Sequence, residues 1–228
     1  MRLDKYICQN TNLTRSLAKK AISSGQVSVN LKKIKNTAFK VKDNDEIFYS
    51  DKKISTLGLR YLMLNKPNGY ICSTKDEVYP SVLNLINIDK CERLHIVGRL
   101  DVDTTGLVLI TDDGQWSHKI TSPKKNCSKT YKVDLTDNVN ATTIEYFKKG
   151  ILLKNESKAT LPAQLLLLSP KKVLLTIQEG RYHQVKRMFA AVGNHVEALH
   201  RTSIGNITLD KQLSEGKWRY LTEDEIIL

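Results

Sequence analysis

The sequence predicts an α+β fold in two parts: a small, basic, helix-led unit over residues 1–58, and a unit over residues 59–228 with a mainly antiparallel sheet flanked by helices. Three observations lead there. Basic charge is concentrated at one end, because residues 1–58 hold 12 Lys/Arg against 5 Asp/Glu and so carry +7 of the total +12. From Arg60 onward, apolar stretches of strand length outnumber helical patterns. These strands and helices do not alternate in the regular βαβ order of a parallel sheet.

In the first part, Leu3 and Ile7 are spaced for one helix face, and Leu17, Ala18, Ala21 and Ile22 for a second helix that starts at the cap candidate Thr14 and stops at Gly25. Val27 and Val29 alternate with polar residues as a half-buried strand. Asn30 marks a turn, and Asp43-Asn44-Asp45 marks another before Ile47 and Tyr49. Arg2, Lys5, Arg15, Lys19 and Lys20 fall off the apolar helix faces, where a phosphate backbone could lie against them. On charge alone a solvated face explains them equally well. Asp51 through Gly58 is polar and is expected to be an interdomain linker.

In the second part, RYLMLNKP is an apolar strand that stops at Pro67, KTYKVDL alternates from Lys129, KKVLLTIQEG runs to Gly180, and HVEALHRTSIGNITL follows Gly193. Helices are expected over Val82 to Ile86, Asn140 to Lys149 and His183 to Val192; in the last, Val185, Met188, Phe189 and Val192 form an apolar stripe.

Composition narrows the function. Hydrophobic residues make up 40% and charged residues 26%, as in soluble globular proteins. Runs such as LPAQLLLLS are far short of the ~20 residues of a membrane span. The polar N-terminus MRLDKYICQN is unlike a secretory leader, so a cytoplasmic protein is expected. Cys8, Cys72, Cys91 and Cys127 lack metal or redox spacing, and the histidines are dispersed, so no metal is expected. The basic balance favours a polyanionic partner, nucleic acid before membrane.

The stretch IVGRLDVDTTGLVLITDDG, residues 96–114, carries the most chemistry. As a calcium loop it offers Asp101, Asp103, Thr105, Gly106 and Asp112 at ligand spacing, but the last ligand should be Glu and Gly114 should break the exiting helix. As a D-x-D-x-T phosphatase motif it lacks the uninterrupted apolar strand that must lead into the first Asp. A plain turn in which Asp103 and Thr104 act as caps is the bland alternative.

Taken with its neighbours, this stretch resembles the central motif of RNA pseudouridine synthases. NKPNGYICST, KTYKV, EGRYHQVKRMFAAVGNHVEALHRTSIG and RYLTEDE follow the family's blocks in order over nearly the whole chain. RLDKYI, TRSLAKKAISSGQVSVN and VKDNDEI resemble the S4 (α-L) RNA-binding fold over roughly residues 1–50, which indicates the branch that joins an S4 domain to the catalytic domain. DDGQWSHKITSP and the Tyr182-His183 pair resemble the small-subunit enzymes of that branch more than the large-subunit ones, which usually carry Asn-Arg there.

The resemblance implies isomerisation of a uridine in 16S ribosomal RNA or in a partly assembled small subunit, by a monomer without cofactor. A synthase for 23S RNA and a non-catalytic S4-type assembly factor are the alternatives. It implies Asp101 as the catalytic carboxylate beneath the sugar, Arg99 as the residue that positions or replaces the flipped nucleotide, and Tyr131 as the ring that stacks on uracil. Lys186 matches the cation expected beside Asp101. Arg187, about a hundred degrees further round its helix, is expected to meet phosphate, with His183 and Gln184 in second rank. Asp103, two residues from Asp101, would point away from the pocket if the backbone is extended, and it is expected to be a turn or scaffold residue rather than a second acid.

Overall fold

The computed structural model describes residues 1–122 and 126–227, and its chain divides into two compact units, Met1–Gly58 and Leu59–Leu228. In the first, helices α1 (Leu3–Asn10) and α2 (Arg15–Ser23) pack beside a four-stranded sheet of β1 (Val27–Val29), β2 (Lys32–Lys33), β3 (Ile47–Tyr49) and β4 (Lys52–Lys53), in the order β2-β1-β3-β4. The core follows the sequence spacing: Leu3 and Ile7 from α1, Ala18, Ala21 and Ile22 from α2, and Val27, Val29 and Ile47 from the sheet. The Thr14 side chain caps α2 by accepting from the Leu17 amide, and Gly25 at φ +76° takes the left-handed position just past its end. The expected linker is corrected in part: Ser50 and Asp51, both at positive φ, turn the chain so that Lys52 and Lys53 pair with β3, and Ile54 packs on this core.

The second unit contains β5 (Tyr61–Lys66), β6 (His95–Val97), β7 (Thr105–Thr111), α3 (Gly114–Thr121), β8 (Lys129–Leu135), α4 (Ala141–Lys149), β9 (Gln164–Ser169), β10 (Lys172–Ile177), α5 (Gln184–Ala191), β11 (Val196–Ile204), β12 (Ile207–Thr208), β13 (Trp218–Tyr220) and α6 (Glu223–Ile226). The sheet runs β13-β5-β7-β11-β8-β10-β9, with β6 and β12 attached to β7 and β11. Every pair in it is antiparallel except β7 with β11. Central strands are buried on both faces. Leu62, Leu64, Val108 and Ile110 enter one core with Phe147 and Phe189, while Met63, Leu107 and Leu109 enter another with Trp116 and Ile204. That two-sided burial explains their near-continuous apolar sequence.

Three local expectations are revised. Gly114 does not break a helix; it begins α3, because the Asp113 carboxylate caps the amides of Gln115 and Trp116. Val82–Leu85 forms a single 3₁₀ turn. The HVEALHRTSIGNITL segment folds back at Gly205 to form the β11–β12 hairpin. Pro123, the last residue of the DDGQWSHKITSP block, lies outside the described residues. No helix among the described residues is long and apolar enough to cross a membrane.

Candidate active site

The parallel join of β7 and β11 sets the position of the site. Gly106, at φ +100°, lies against the backbone of Arg201; a Cβ there would fall on the Arg201 carbonyl oxygen and within 2.8 Å of its amide nitrogen. Only glycine permits this approach. It brings the loop before β7, residues 98–104, beside the middle of β11.

Two buried cations hold that loop by its backbone. Arg201, 2% exposed, donates from Nε to the Leu107 carbonyl at 2.8 Å and from Nη2 to the Gly98 carbonyl at 2.6 Å. Lys66, fully buried, donates from Nζ to the carbonyls of Pro67, Val102 and Thr104 at 3.1, 3.0 and 2.8 Å. Between them the Leu100 amide donates to Sγ of Cys72 at 3.3 Å. Burial pushes the Lys66 ammonium below its ordinary pKa, and the charges of Cys72, Asp103 and Asp101 work against that. Because the cations are spent on carbonyl oxygens, the Asp101 carboxylate is left facing the cleft. Neither Lys66 nor Arg201 is among the site residues expected from the sequence. The available signal was a lysine inside the otherwise apolar RYLMLNKP strand, which is expensive to bury unless satisfied.

Residues Val102 and Asp103 form a turn, closed by the Thr104 amide on the Asp101 carbonyl at 3.2 Å. Asp103 is thus the turn residue that was expected, and the outward direction that an extended backbone would have given it does not apply. Asp103 takes both oxygens to Nζ of Lys186, at 2.6 and 2.7 Å, and Lys186 stands 3.8 Å from Oδ2 of Asp101. Burial raises the Asp103 carboxyl, but the Lys186 hydrogen bond and charge bring it below its ordinary value. On the other oxygen of Asp101, Nε2 of His183 lies at 3.3 Å. The calcium reading has no geometric support, since Asp112 is beyond the far end of β7, roughly 20 Å along the strand, and is paired with Arg60 at 2.8 Å. Among the described residues no group of three His, Cys, Asp or Glu could hold a metal.

Tyr131 on β8 is buried opposite Arg201 on β11, with the guanidinium carbon 6.0 Å from its ring centroid, inside cation–π range. Arg99 is exposed at the loop, with no hydrogen bond or ion pair from its guanidinium to a described residue. Asp101, Arg99, Tyr131 and His183 all line a cleft of about 810 Å³ and also a smaller pocket of about 110 Å³, which Lys186 lines as well.

Arg187 is placed differently from expectation. Its Nη1 pairs with Glu156 at 2.9 Å and donates to the Tyr182 carbonyl at 3.1 Å, and its Nη2 donates to the Lys154 carbonyl at 2.8 Å. Arg181 grips the same Glu156 at 2.9 Å and Glu179 at 3.1 Å, and Gln184 donates to Glu179 at 3.0 Å. Arg187 is therefore a clamp on the turn before α5, where His183 takes the left-handed conformation at φ +46°. In the first unit, Arg2 pairs with both oxygens of the buried Asp4, at 3.0 and 2.9 Å, and Arg15 lies 3.8 Å from it. The Arg2 bond leads the effects that lower the Asp4 pKa. Lys5, Lys19 and Lys20 are exposed on α1 and α2.

The RNA pseudouridylate synthase profile matches residues 60–191, and the S4 domain profile matches residues 1–47. The chain belongs to the RNA pseudouridylate synthase family. Among its relatives is the ribosomal small subunit pseudouridine synthase A of Escherichia coli (strain K12), 52% identical over 227 residues that cover 99% of this chain and 98% of the relative. The protein of that name from Vibrio cholerae serotype O1 is 51% identical over 226 residues, with the same coverage. A crystal structure of a pseudouridylate synthase superposes with a TM-score of 0.72 at 50% identity, covering 99% of this chain and 98% of the other.

Proposed function

We propose that the chain converts a uridine of 16S RNA to pseudouridine, acting as a cytoplasmic monomer on that RNA or on a partly assembled small subunit. The observation that carries the reading is the Asp101 carboxylate, presented on the wall of a cleft with His183 at one oxygen and Lys186 near the other. Identity of about half of all residues with small-subunit synthases along nearly their whole length supports the choice of RNA.

The reaction breaks the N1–C1′ bond, turns the bound uracil and joins C5 to C1′. Nothing is oxidised or reduced, so no cofactor is called for. Asp101 faces C1′, as nucleophile or base and as support for cationic character there, much as a glycosidase carboxylate does. Lys186, held by Asp103, keeps positive charge beside it. The target base must leave its stack to be reached. Tyr131 receives the uracil, and the exposed guanidinium of Arg99 at the cleft positions the extruded nucleotide or fills its place. Arg2, Lys5, Arg15, Lys19 and Lys20 of the S4 unit take phosphates.

Tritium release from ribosomal RNA labelled at uridine C5 tests the proposal. Release is expected from small-subunit RNA or its assembly particles and not from large-subunit RNA. No release from either overturns the enzymatic reading, and release from large-subunit RNA alone overturns the choice of substrate.

A further inference from the structure

We infer that Tyr182 is a nucleobase platform, on whose outer face stacks the base that neighbours the extruded uridine. The inference rests on the function proposed above and extends it by one nucleotide. The Tyr182 and His183 rings stack with centroids 3.8 Å apart and planes 20° from parallel. His183 in turn reaches Asp101 at 3.3 Å through its edge nitrogen, so the imidazole joins Tyr182 to the carboxylate, and both residues line the same cleft. Tyr182 is nevertheless 77% exposed and uses one face only. An exposed tyrosine is by itself ordinary. This one is held in place by unusual means, for His183 occupies a left-handed backbone conformation that ordinary side chains avoid, and Arg187 bonds the Tyr182 carbonyl.

A turn clamped in that way presents a fixed aromatic face beside a site whose substrate is a base taken out of its stack. Aromatic faces are the usual receivers of unstacked bases in single-stranded RNA. Tyr131 serves the uracil from deep in the cleft, whereas Tyr182 lies at its rim, where the strand must continue. Arg99 borders the same cleft with its guanidinium bonded to no described residue, which suits the phosphate that links the two nucleotides.

The test first maps the converted uridine with the wild-type enzyme, then compares Tyr182→Ala and Tyr182→Phe. On the same RNA, 2-aminopurine replaces each flanking base in turn. Stacking of one base predicts a fall in kcat/KM of about 10- to 100-fold for Tyr182→Ala, most of it restored in Tyr182→Phe. It also predicts quenching of 2-aminopurine at one flank in the wild-type complex and its loss in Tyr182→Ala. Wild-type kcat/KM in Tyr182→Ala, an equal loss in Tyr182→Phe, or unchanged quenching overturns the inference. Absence of turnover by the wild type instead overturns the proposed function.

Discussion

Lys186 donates to both carboxylate oxygens of Asp103 and approaches Asp101 no closer than 3.8 Å. The two acids of the Asp-Val-Asp stretch are thus joined through one ammonium group, with Asp103 fixing where Lys186 stands. Asp103→Asn keeps the turn but weakens the hold on Lys186. We expect turnover to fall by about 10- to 100-fold, the scale of 1.4–2.8 kcal/mol of lost positioning. Asp101→Asn is expected to leave none. Single-turnover rates on small-subunit RNA check the ranking, and equal losses in the two folded variants contradict it.

Arg201 ties Gly98 to Leu107 from beneath Tyr131. Arg201→Lys retains the charge and loses the fork, which leaves a buried carbonyl unpaired. A fall in thermal midpoint on the order of 5 °C is expected, with turnover reduced at least tenfold as the loop bearing Asp101 loosens. A variant with wild-type rate shows that the fork does not hold the loop.

His183 combines a left-handed backbone with a contact to Asp101. His183→Gly relieves backbone strain of roughly 1 kcal/mol and removes the imidazole. Stability and activity are therefore expected to move in opposite directions, measured by thermal unfolding and tritium release. A destabilised variant contradicts the strain, and an unchanged rate contradicts the contact.

The Arg219 hydrogen bond leads the effects that hold the Glu225 carboxyl down to about 2, from an ordinary 4.5, at the junction of β13 and α6. A depressed carboxyl contributes stability above its ordinary pKa and loses it as pH falls through the depressed one. The difference in stability between wild type and Glu225→Gln is expected to be on the order of 2 kcal/mol above pH 5, after allowance for the pair's partial exposure. It should shrink as pH falls from 4.5 toward 2. Denaturant unfolding at pH 6 and pH 3 measures this, and a pH-independent difference contradicts it.

The sequence was most legible where one physical signal dominated. Continuous apolar residues marked β5, and alternation marked β8, because burial on two faces or one leaves its period in the side chains. Thr14 and Gly25 marked the two ends of α2 through backbone conformation alone. Legibility failed where a long-range partner decided the outcome. Arg187 was read as a phosphate ligand because helix geometry places it on a different face from Lys186, but Glu156, thirty-one residues away, captures it. The turn at Asp103 was legible, but its partner was not: Lys186, eighty-three residues away, takes up the carboxylate that the turn presents. Arg201 and Lys66 resemble surface cations until the carbonyls of residues 98–107 are placed around them.

The central claim is that one carboxylate, that of Asp101, carries the isomerisation. Tritium release by Asp101→Asn on C5-labelled small-subunit RNA, measured beside its RNA affinity, tests it most directly. The account predicts no release above background with affinity close to that of the wild type. Appreciable release by the folded variant would contradict it.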